Sequence, residues 1–220
     1  TSRFLLGWIP FSVGDILYTA LAIIIIRFFI LKGKTLITNS KYFFRELFVA
    51  ISTIYFLFHL LWGLNYYRLP IHEKLTISDT YTSEELYSFT EQLIKKSNET
   101  HFQLTQNDSL IVKIPYSKAE IYQKTLDGYQ ILSKEIPAFT YHTKSIKTSL
   151  YSTALTYMGY SGYLNPFTNE AQVNGLQIDF KYPTVSCHEE AHQIGYSAEN
   201  EANFVAFLAA TSNNDLYFKY

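Results

Sequence analysis

The chain has 220 residues and a net charge of −1, with 48% hydrophobic residues, 17% aromatic residues and a single Cys. This aromatic content excludes a disordered chain, and one Cys excludes both a disulfide scaffold and a structural zinc site built from cysteines. A near-neutral chain gives no case for nucleic-acid binding, which requires a basic face.

The charges are unevenly distributed along the chain. Residues 1–68 hold seven basic and two acidic residues, whereas residues 69–220 hold eleven basic and seventeen acidic ones. We therefore expect two domains in different solvents, a transmembrane helical hairpin over 1–68 and a soluble domain over 69–220. Because the chain starts at Thr1 rather than Met and stops at Tyr220, we also expect a fragment whose second domain is truncated at its C-terminus.

Two apolar runs predict membrane spans at about 14–31 and 45–64. The first is interrupted by Arg27, and the second has His59 as its only ionisable residue from Leu47 onward. A spanning helix needs about 20 apolar residues, with a range of about 17–25. The other interpretation is a pair of buried helices in a soluble domain, but charge-free runs of this length are unusual there.

The basic residues around the spans predict their orientation. The link between the two runs contains Lys32, Lys34 and Lys41, and positive charges in short loops are retained in the cytoplasm. Trp8 and Trp62 stand at the opposite ends of the runs, where aromatic residues mark the membrane interface. The soluble domain should therefore lie outside the cytoplasm.

The soluble domain is predicted to be α+β and mostly helical, with a small sheet. Apolar periodicity and polar starting residues indicate two helices, and residues rich in Gly, Tyr and Asn indicate a hairpin. The predicted elements are a helix from Ser83 with Leu86, Phe89, Leu93 and Ile94 on its apolar face, a loop over 98–108, a strand over Ser109–Ile114, a helix over 117–136, a strand or helix over 147–155, and a hairpin over 159–174.

The residues that carry chemistry are in the sequence His188-Glu189-Glu190-Ala191-His192. On a helix, His188 and His192 share one face, and two imidazoles so placed can bind one Zn²⁺. Glu189 lies beside them and can act as the general base on a zinc-activated water. Two solvent-facing histidines on an ordinary helix are the alternative. Cys187 precedes the pair and is expected to be a small buried hydrophobic residue.

A catalytic zinc needs a third protein ligand. Gly195 can end the first helix, Ser197 can cap a second one, and Glu199 follows seven residues after His192. Small Ala residues beyond Glu199 would let the two helices approach closely. Glu201 is turned by about 200° from Glu199 on a helix, so Glu199 is the preferred metal ligand.

The motif from His188 to His192, followed by Glu199-x-x-Ala202-Asn203, resembles the gluzincin metallopeptidases. The gap before Glu199 is shorter than gluzincins usually have, and Gly195 resembles the third-ligand turn of metzincins. Over nearly the whole chain the sequence also resembles an uncharacterised bacterial family of membrane-anchored zincin-like proteins, a domain of unknown function. The stretches that carry this likeness are 7–15, 62–68, 159–168 and 187–204.

These resemblances imply a bacterial inner-membrane protein with a zincin-like fold that hydrolyses peptide bonds with Zn²⁺. A metal-dependent hydrolase of a non-peptide envelope substrate and a non-enzymatic, zinc-stabilised envelope protein remain open. Tyr160, Tyr163 and Tyr196 are candidates for stabilising the oxyanion. Residues 170–174 could form an edge strand that aligns a peptide substrate, or an ordinary surface strand.

Overall fold

A computed structural model describes residues 2–220. Within them the chain is mostly helical and has one three-stranded sheet, as predicted. The elements are α1 (Ser2–Leu6), α2 (Val13–Thr38), α3 (Ser40–Leu61), α4 (Ile71–Leu75), α5 (Ser83–Thr105), α6 (Lys118–Glu135), β1 (Ile146–Thr148), α7 (Ser152–Met158), β2 (Gly162–Asn165), β3 (Glu170–Val173), α8 (Tyr182–Gln193), α9 (Glu199–Ser212) and α10 (Leu216–Lys219), with 3₁₀ turns at Gly63–Tyr67, Pro137–Phe139 and Asp179–Lys181.

The two N-terminal helices are long and apolar enough to cross a membrane. They pack against each other as a hairpin, and most of their large apolar side chains are exposed. The predicted link between them is itself helical. Helix α2 continues through Lys32 and Lys34 to Thr38, only Asn39 separates it from α3, and Lys41 already belongs to α3. Asn39 caps α3 by accepting a hydrogen bond from the backbone N–H of Tyr42. Both helices are consistent with membrane anchoring.

The core of the domain lies where α6, α8 and α9 meet. The contact between α6 and α9 is close, because Gly128 presents no side chain where the carbonyl of Ala209 approaches. The facing side of α9 is built from Ala202, Ala206 and Ala209, all buried. Cys187 of α8 is fully buried in this core, as predicted for a small hydrophobic residue. Small residues therefore allow α9 to lie close to its neighbours in this core.

The sheet has the strand order β1-β3-β2, with β1 parallel and β2 antiparallel to β3. The prediction that residues 170–174 form an edge strand is wrong. Ala171 lies opposite Ile146 on one side and Leu164 on the other, so β3 is the central strand and is buried along its length. The edge strand beside α8 is β2, the first strand of the predicted hairpin.

Three other segments are resolved or corrected by the structure. Residues 147–155 contain both the end of β1 and the start of α7. The segment Ser109–Ile114, predicted as a strand, has no regular secondary structure and pairs with no strand of the sheet. The helix from Ser83 continues through most of the predicted loop to Thr105, and its predicted apolar face stays exposed. That helix packs on the domain mainly beside α10.

The predicted helix over 117–136 matches α6 and shows how local sequence defines an element. Ser117 accepts a hydrogen bond from the backbone N–H of Glu120, and the Glu120 carboxylate accepts one from the backbone N–H of Ser117. This capping box satisfies two backbone donors at the start of the helix. Pro137 follows directly after the end of the helix, where a proline cannot continue it.

Candidate metal centre

The two histidines lie on one face of α8, four residues apart, as the sequence predicts. Their ring centres are 4.7 Å apart and the rings are nearly perpendicular. His192 is buried and His188 is partly buried. The pair is therefore held at the wall of the domain rather than on a freely solvated helix surface.

The turn after α8 orients His192. Gly195 has a φ of 100°, and its N–H and that of Tyr196 donate to the carbonyls of His192 and Ala191, which is a Schellman motif. The turn brings the carbonyl oxygen of Tyr196 to 2.7 Å from Nδ1 of His192. A carbonyl only accepts hydrogen bonds, so Nδ1 must carry the proton. Nε2 is thereby left with a free lone pair, as a metal ligand requires.

Glu199, the first residue of α9, brings a carboxylate to both imidazoles. Its Oε2 lies 3.2 Å from Nε2 of His188, and its Oε1 lies 3.6 Å from Nε2 of His192. One ligand atom from each of the three residues falls within 4.8 Å of the others. Glu201 points elsewhere and accepts a hydrogen bond of 2.6 Å from the backbone N–H of Ile71. The structure therefore brings together the three predicted metal ligands, and Glu201 is not part of this group.

The start of α9 differs from the prediction in one respect. Ser197 does not cap the helix; the N-cap position is Ala198, whose side chain makes no capping hydrogen bond. The helix begins two residues after Ser197, which lines the cleft above the histidines instead. Glu199 is consequently in the first turn, where a negative charge is favourable.

Glu189 is buried beside the two histidines and lines the same cleft. Its Oε1 lies so near β2 that a Cβ on Gly162 would be 2.5 Å from it, and its Oε2 has no hydrogen-bond partner within the described residues 2–220. Burial, reinforced by the neighbouring Glu199, raises the pKa of Glu189 well above its ordinary value. Glu189 is therefore a buried carboxyl group that faces the cleft beside the two histidines.

The electrostatics around His188 favour a neutral imidazole. Burial lowers the pKa of His188, and the nearby His192 lowers it further, whereas Glu199 and a hydrogen bond with Asn203 act in the opposite direction. A neutral imidazole is the form that binds metal ions. Asn203 lies one turn after Glu199 on α9, which places it on the side of that helix that faces His188 and the cleft.

These groups lie at the base of an open cleft of about 660 Å³. One wall is the edge strand β2 with the residues before it, and the other is formed by the end of α3 and the following turn. The lining includes Trp62, Tyr66, Gly159, Tyr160, Ser161, Gly162, Tyr163, Leu164, Thr184, Val185, Ser197 and Asn203. Trp62 comes from the second apolar helix, and its ring centre is 6.4 Å from that of His192.

The three tyrosines predicted as oxyanion donors have different surroundings. The hydroxyl of Tyr163 donates to the carboxylate of Asp15, and that of Tyr196 donates to the carbonyl of Ala138 at 3.2 Å. Tyr160 is exposed in the cleft wall. Of the three, Tyr160 alone combines a place in the cleft with a side chain that is not engaged elsewhere among residues 2–220.

Sequence reasoning missed two arginines that support the site from the N-terminal region. Arg3 donates to the carbonyl of Gln193 at 3.1 Å, and Arg68 donates to the carbonyl of Ile194 at 2.9 Å. Cations at the C-terminal end of a helix satisfy its last carbonyls and its dipole. The Arg68 guanidinium also lies over the ring of Tyr196. Both arginines flank the apolar runs, and nothing local in the sequence links them to α8.

Comparison with known proteins gives one match. No curated protein and no solved structure matches the chain. One family model covers the whole of it, residues 1–220, and this agrees with the resemblance to an uncharacterised family. The chain belongs to the family described as "Protein of unknown function (DUF3810)".

Proposed function

We propose that the protein is a membrane-anchored zinc metallopeptidase whose catalytic domain has a zincin-like fold and lies outside the cytoplasm. The observation that carries this proposal is the convergence of His188, His192 and Glu199 beside the buried carboxyl group of Glu189. Glu189 is not needed as a ligand, yet its buried carboxyl group lines the cleft beside the two histidines.

The donor set fits Zn²⁺. Two imidazole nitrogens and one carboxylate form a three-ligand set typical of catalytic zinc sites, which keep a further position open. His192 presents Nε2 as the free nitrogen because Nδ1 is bound to the Tyr196 carbonyl, and the cleft leaves space on the open side. A bound Zn²⁺ supplies a Lewis acid and lowers the pKa of water to about 7.

Glu189 is the general base in this proposal. Its unpartnered Oε2 accepts a proton from the attacking water, and the same carboxyl group then delivers that proton to the leaving amine. Tyr160, in the cleft wall, is the proposed donor to the developing oxyanion.

An extended peptide would pair with β2. This strand is the edge of the sheet and lines the cleft beside Glu189, and an edge strand offers unpaired backbone groups to an added strand. Gly162 allows β2 to lie close to Glu189, because any larger residue there would collide with Glu189 and with the carbonyl of Gln172.

The test compares wild type with Glu189→Gln in the purified full-length protein, using Glu91→Gln on α5 as an exposed control. Peptide hydrolysis should fall by about 10²–10⁴-fold in Glu189→Gln, because glutamine cannot accept the proton. The fold and the zinc content should be unchanged, and the control should match wild type. Release of new N-termini from a mixture of unfolded peptides is the measurement.

Three results would redirect the proposal. Cleavage at the wild-type rate by Glu189→Gln would show that Glu189 is not the base. Zinc-dependent turnover of envelope glycans or lipids, with no turnover of peptides, would replace the peptidase by a hydrolase of another envelope linkage. Stoichiometric zinc without any turnover would favour a non-enzymatic protein.

A further inference from the structure

We propose that α7 rests in the membrane interface and brings the cleft to the bilayer surface, where its substrate is a membrane-anchored polypeptide cut close to the point at which it leaves the bilayer. This deepens the proposed function and rests on it.

The start of α2 is fixed to the domain by two buried carboxylates. Glu170 of β3 accepts a hydrogen bond of 2.6 Å from the backbone N–H of Gly14 and pairs with Lys147 at 2.7 Å. Asp15 accepts hydrogen bonds from the hydroxyl of Ser149, at 3.0 Å, and from the backbone N–H of Leu150, at 2.6 Å. Asp15 also accepts from Tyr163 in the cleft wall. The apolar helix and the cleft are therefore parts of one rigid arrangement.

The junction extends along α2 into its apolar run. A helix of 26 residues is about 39 Å long, whereas the hydrocarbon core is about 30 Å thick. The excess belongs at the other end, where Lys32 and Lys34 lie. Thr19 is thus inside the proposed span, and its hydroxyl lies 2.5 Å from that of Tyr151, the residue before α7. Consequently α7 begins beside the part of α2 that the bilayer surrounds.

The outer surface of α7 suits that position. Tyr157 is 88% exposed, and Leu150 and Met158 are about 60% exposed. Beside two apolar helices, these side chains continue a surface that the bilayer covers, and Tyr is favoured at the membrane interface. From Met158 the chain passes directly to Gly159 and Tyr160 in the cleft wall, and the opposite wall holds Trp62 from the end of α3.

This placement defines which substrates reach the cleft. One wall contacts the start of α2 through Tyr163 and Asp15, and the other begins at the end of α3, so a segment that emerges from the bilayer enters the cleft directly. The open edge of β2 offers backbone pairing to an extended peptide, which a lipid headgroup cannot use. The favoured substrate is therefore the membrane-proximal segment of an anchored polypeptide, and a lipid linkage is the competing outcome.

The first experiment measures the depth of α7 in the full-length protein in liposomes. A spin label is placed at Met158→Cys, or at Asp127→Cys on the exposed surface of α6 as a control, while the buried Cys187 stays unlabelled. The measured quantity is the ratio of the collision rate with oxygen to the collision rate with a water-soluble nickel complex. This ratio should be at least fivefold higher for the label at 158 than for the label at 127. Equal aqueous accessibility at both positions would overturn the membrane contact, without touching the zinc site or hydrolysis.

The second experiment uses liposome-anchored peptides with a randomised segment, placed either at the lipid anchor or beyond a 30-residue helical spacer about 45 Å long. Cleavage near the anchor should be at least tenfold faster than cleavage beyond the spacer. Equal rates for both peptides would overturn the proposal while leaving the peptidase intact. If neither peptide were cleaved, the proposed peptidase function would be wrong as well. Release of lipid fragments in place of peptide cleavage would identify a lipid substrate.

Discussion

Glu189 and Glu190 are neighbours on α8, yet their side chains enter different surroundings. Glu189 lines the cleft, whereas Glu190 points into the core and accepts a hydrogen bond of 2.9 Å from Thr125 on α6. Burial raises the pKa of Glu190 to about 8, and its Oε2 has no partner among residues 2–220. At neutral pH the folded protein therefore keeps Glu190 mainly protonated.

This difference predicts a pH dependence of stability. Between the ordinary pKa of a glutamate, about 4.3, and about 8, the folded state holds a proton on Glu190 that the unfolded state releases, so stability falls as pH rises through this range. The Glu190→Gln variant has no proton to release at this position, so its free energy of unfolding should lack this pH dependence. Relative to wild type, the variant should therefore become more stable as the pH rises from 5 to 8. The measurement is the melting temperature of each chelator-treated protein at several pH values, followed by circular dichroism, with Glu91→Gln as the exposed control. A constant difference between Glu190→Gln and wild type would contradict the protonated assignment.

Among the elements, the contact between α6 and α9 is a close one in the core of the domain. A Cβ at Gly128 would collide with the backbone carbonyl of Ala209, and overpacking of this kind costs about 1–3 kcal/mol. Gly128→Ala should therefore lower the melting temperature by several degrees, at about 2–4 °C per kcal/mol. Reaction of the buried Cys187 with a thiol-reactive dye during heating reports the unfolding of this core.

Gly33→Ala is the matched control for that substitution. Gly33 also lies in a helix, but no atom is within 4 Å of the position a Cβ would take. Alanine should be neutral or slightly stabilising there, because it forms helices better than glycine. If Gly128→Ala were as stable as Gly33→Ala, the close packing of α6 on α9 would be wrong.

Elements with strong local signals could be predicted from the sequence, and those that depend on distant contacts could not. The helix from Lys118 has its own capping box, and the histidine pair needs only the helical period. The place of β3 in the sheet depends on pairing with β1, more than twenty residues earlier, so alternation and turn residues could not distinguish a central strand from an edge. The apolar face of α5 was equally misleading, because amphipathicity does not say what a helix packs against.

The same reasoning applies to the candidate site. The spacing of His188, His192 and Glu199 and the turn at Gly195 are local, and they predicted which side chains converge. The supports from Arg3 and Arg68 come from the other end of the chain. Local patterns therefore identified the candidate metal ligands but not the groups that hold α8 in place.

At the scale of the whole molecule, orientation decides which substrates are accessible. The lysines at the adjoining ends of the two apolar helices should face the cytoplasm, and two spans return the chain to its starting side. Alkaline phosphatase, which is active only after export, should therefore be active when fused after Tyr220 in the full-length protein. The same enzyme fused after Asn39, between α2 and α3, should be inactive. The opposite pattern would place the cleft in the cytoplasm.

The measurement that tests the central claim most directly is the zinc content of the purified full-length protein and its variants. We predict about one Zn²⁺ per chain in wild type, loss of the metal in His188→Ala and His192→Ala, and strongly weakened binding in Glu199→Ala. Glu201→Ala should keep its zinc, because Glu201 is bound to the backbone of Ile71 instead. Stoichiometric zinc in both histidine variants, or weaker binding in Glu201→Ala than in Glu199→Ala, would contradict the site described here.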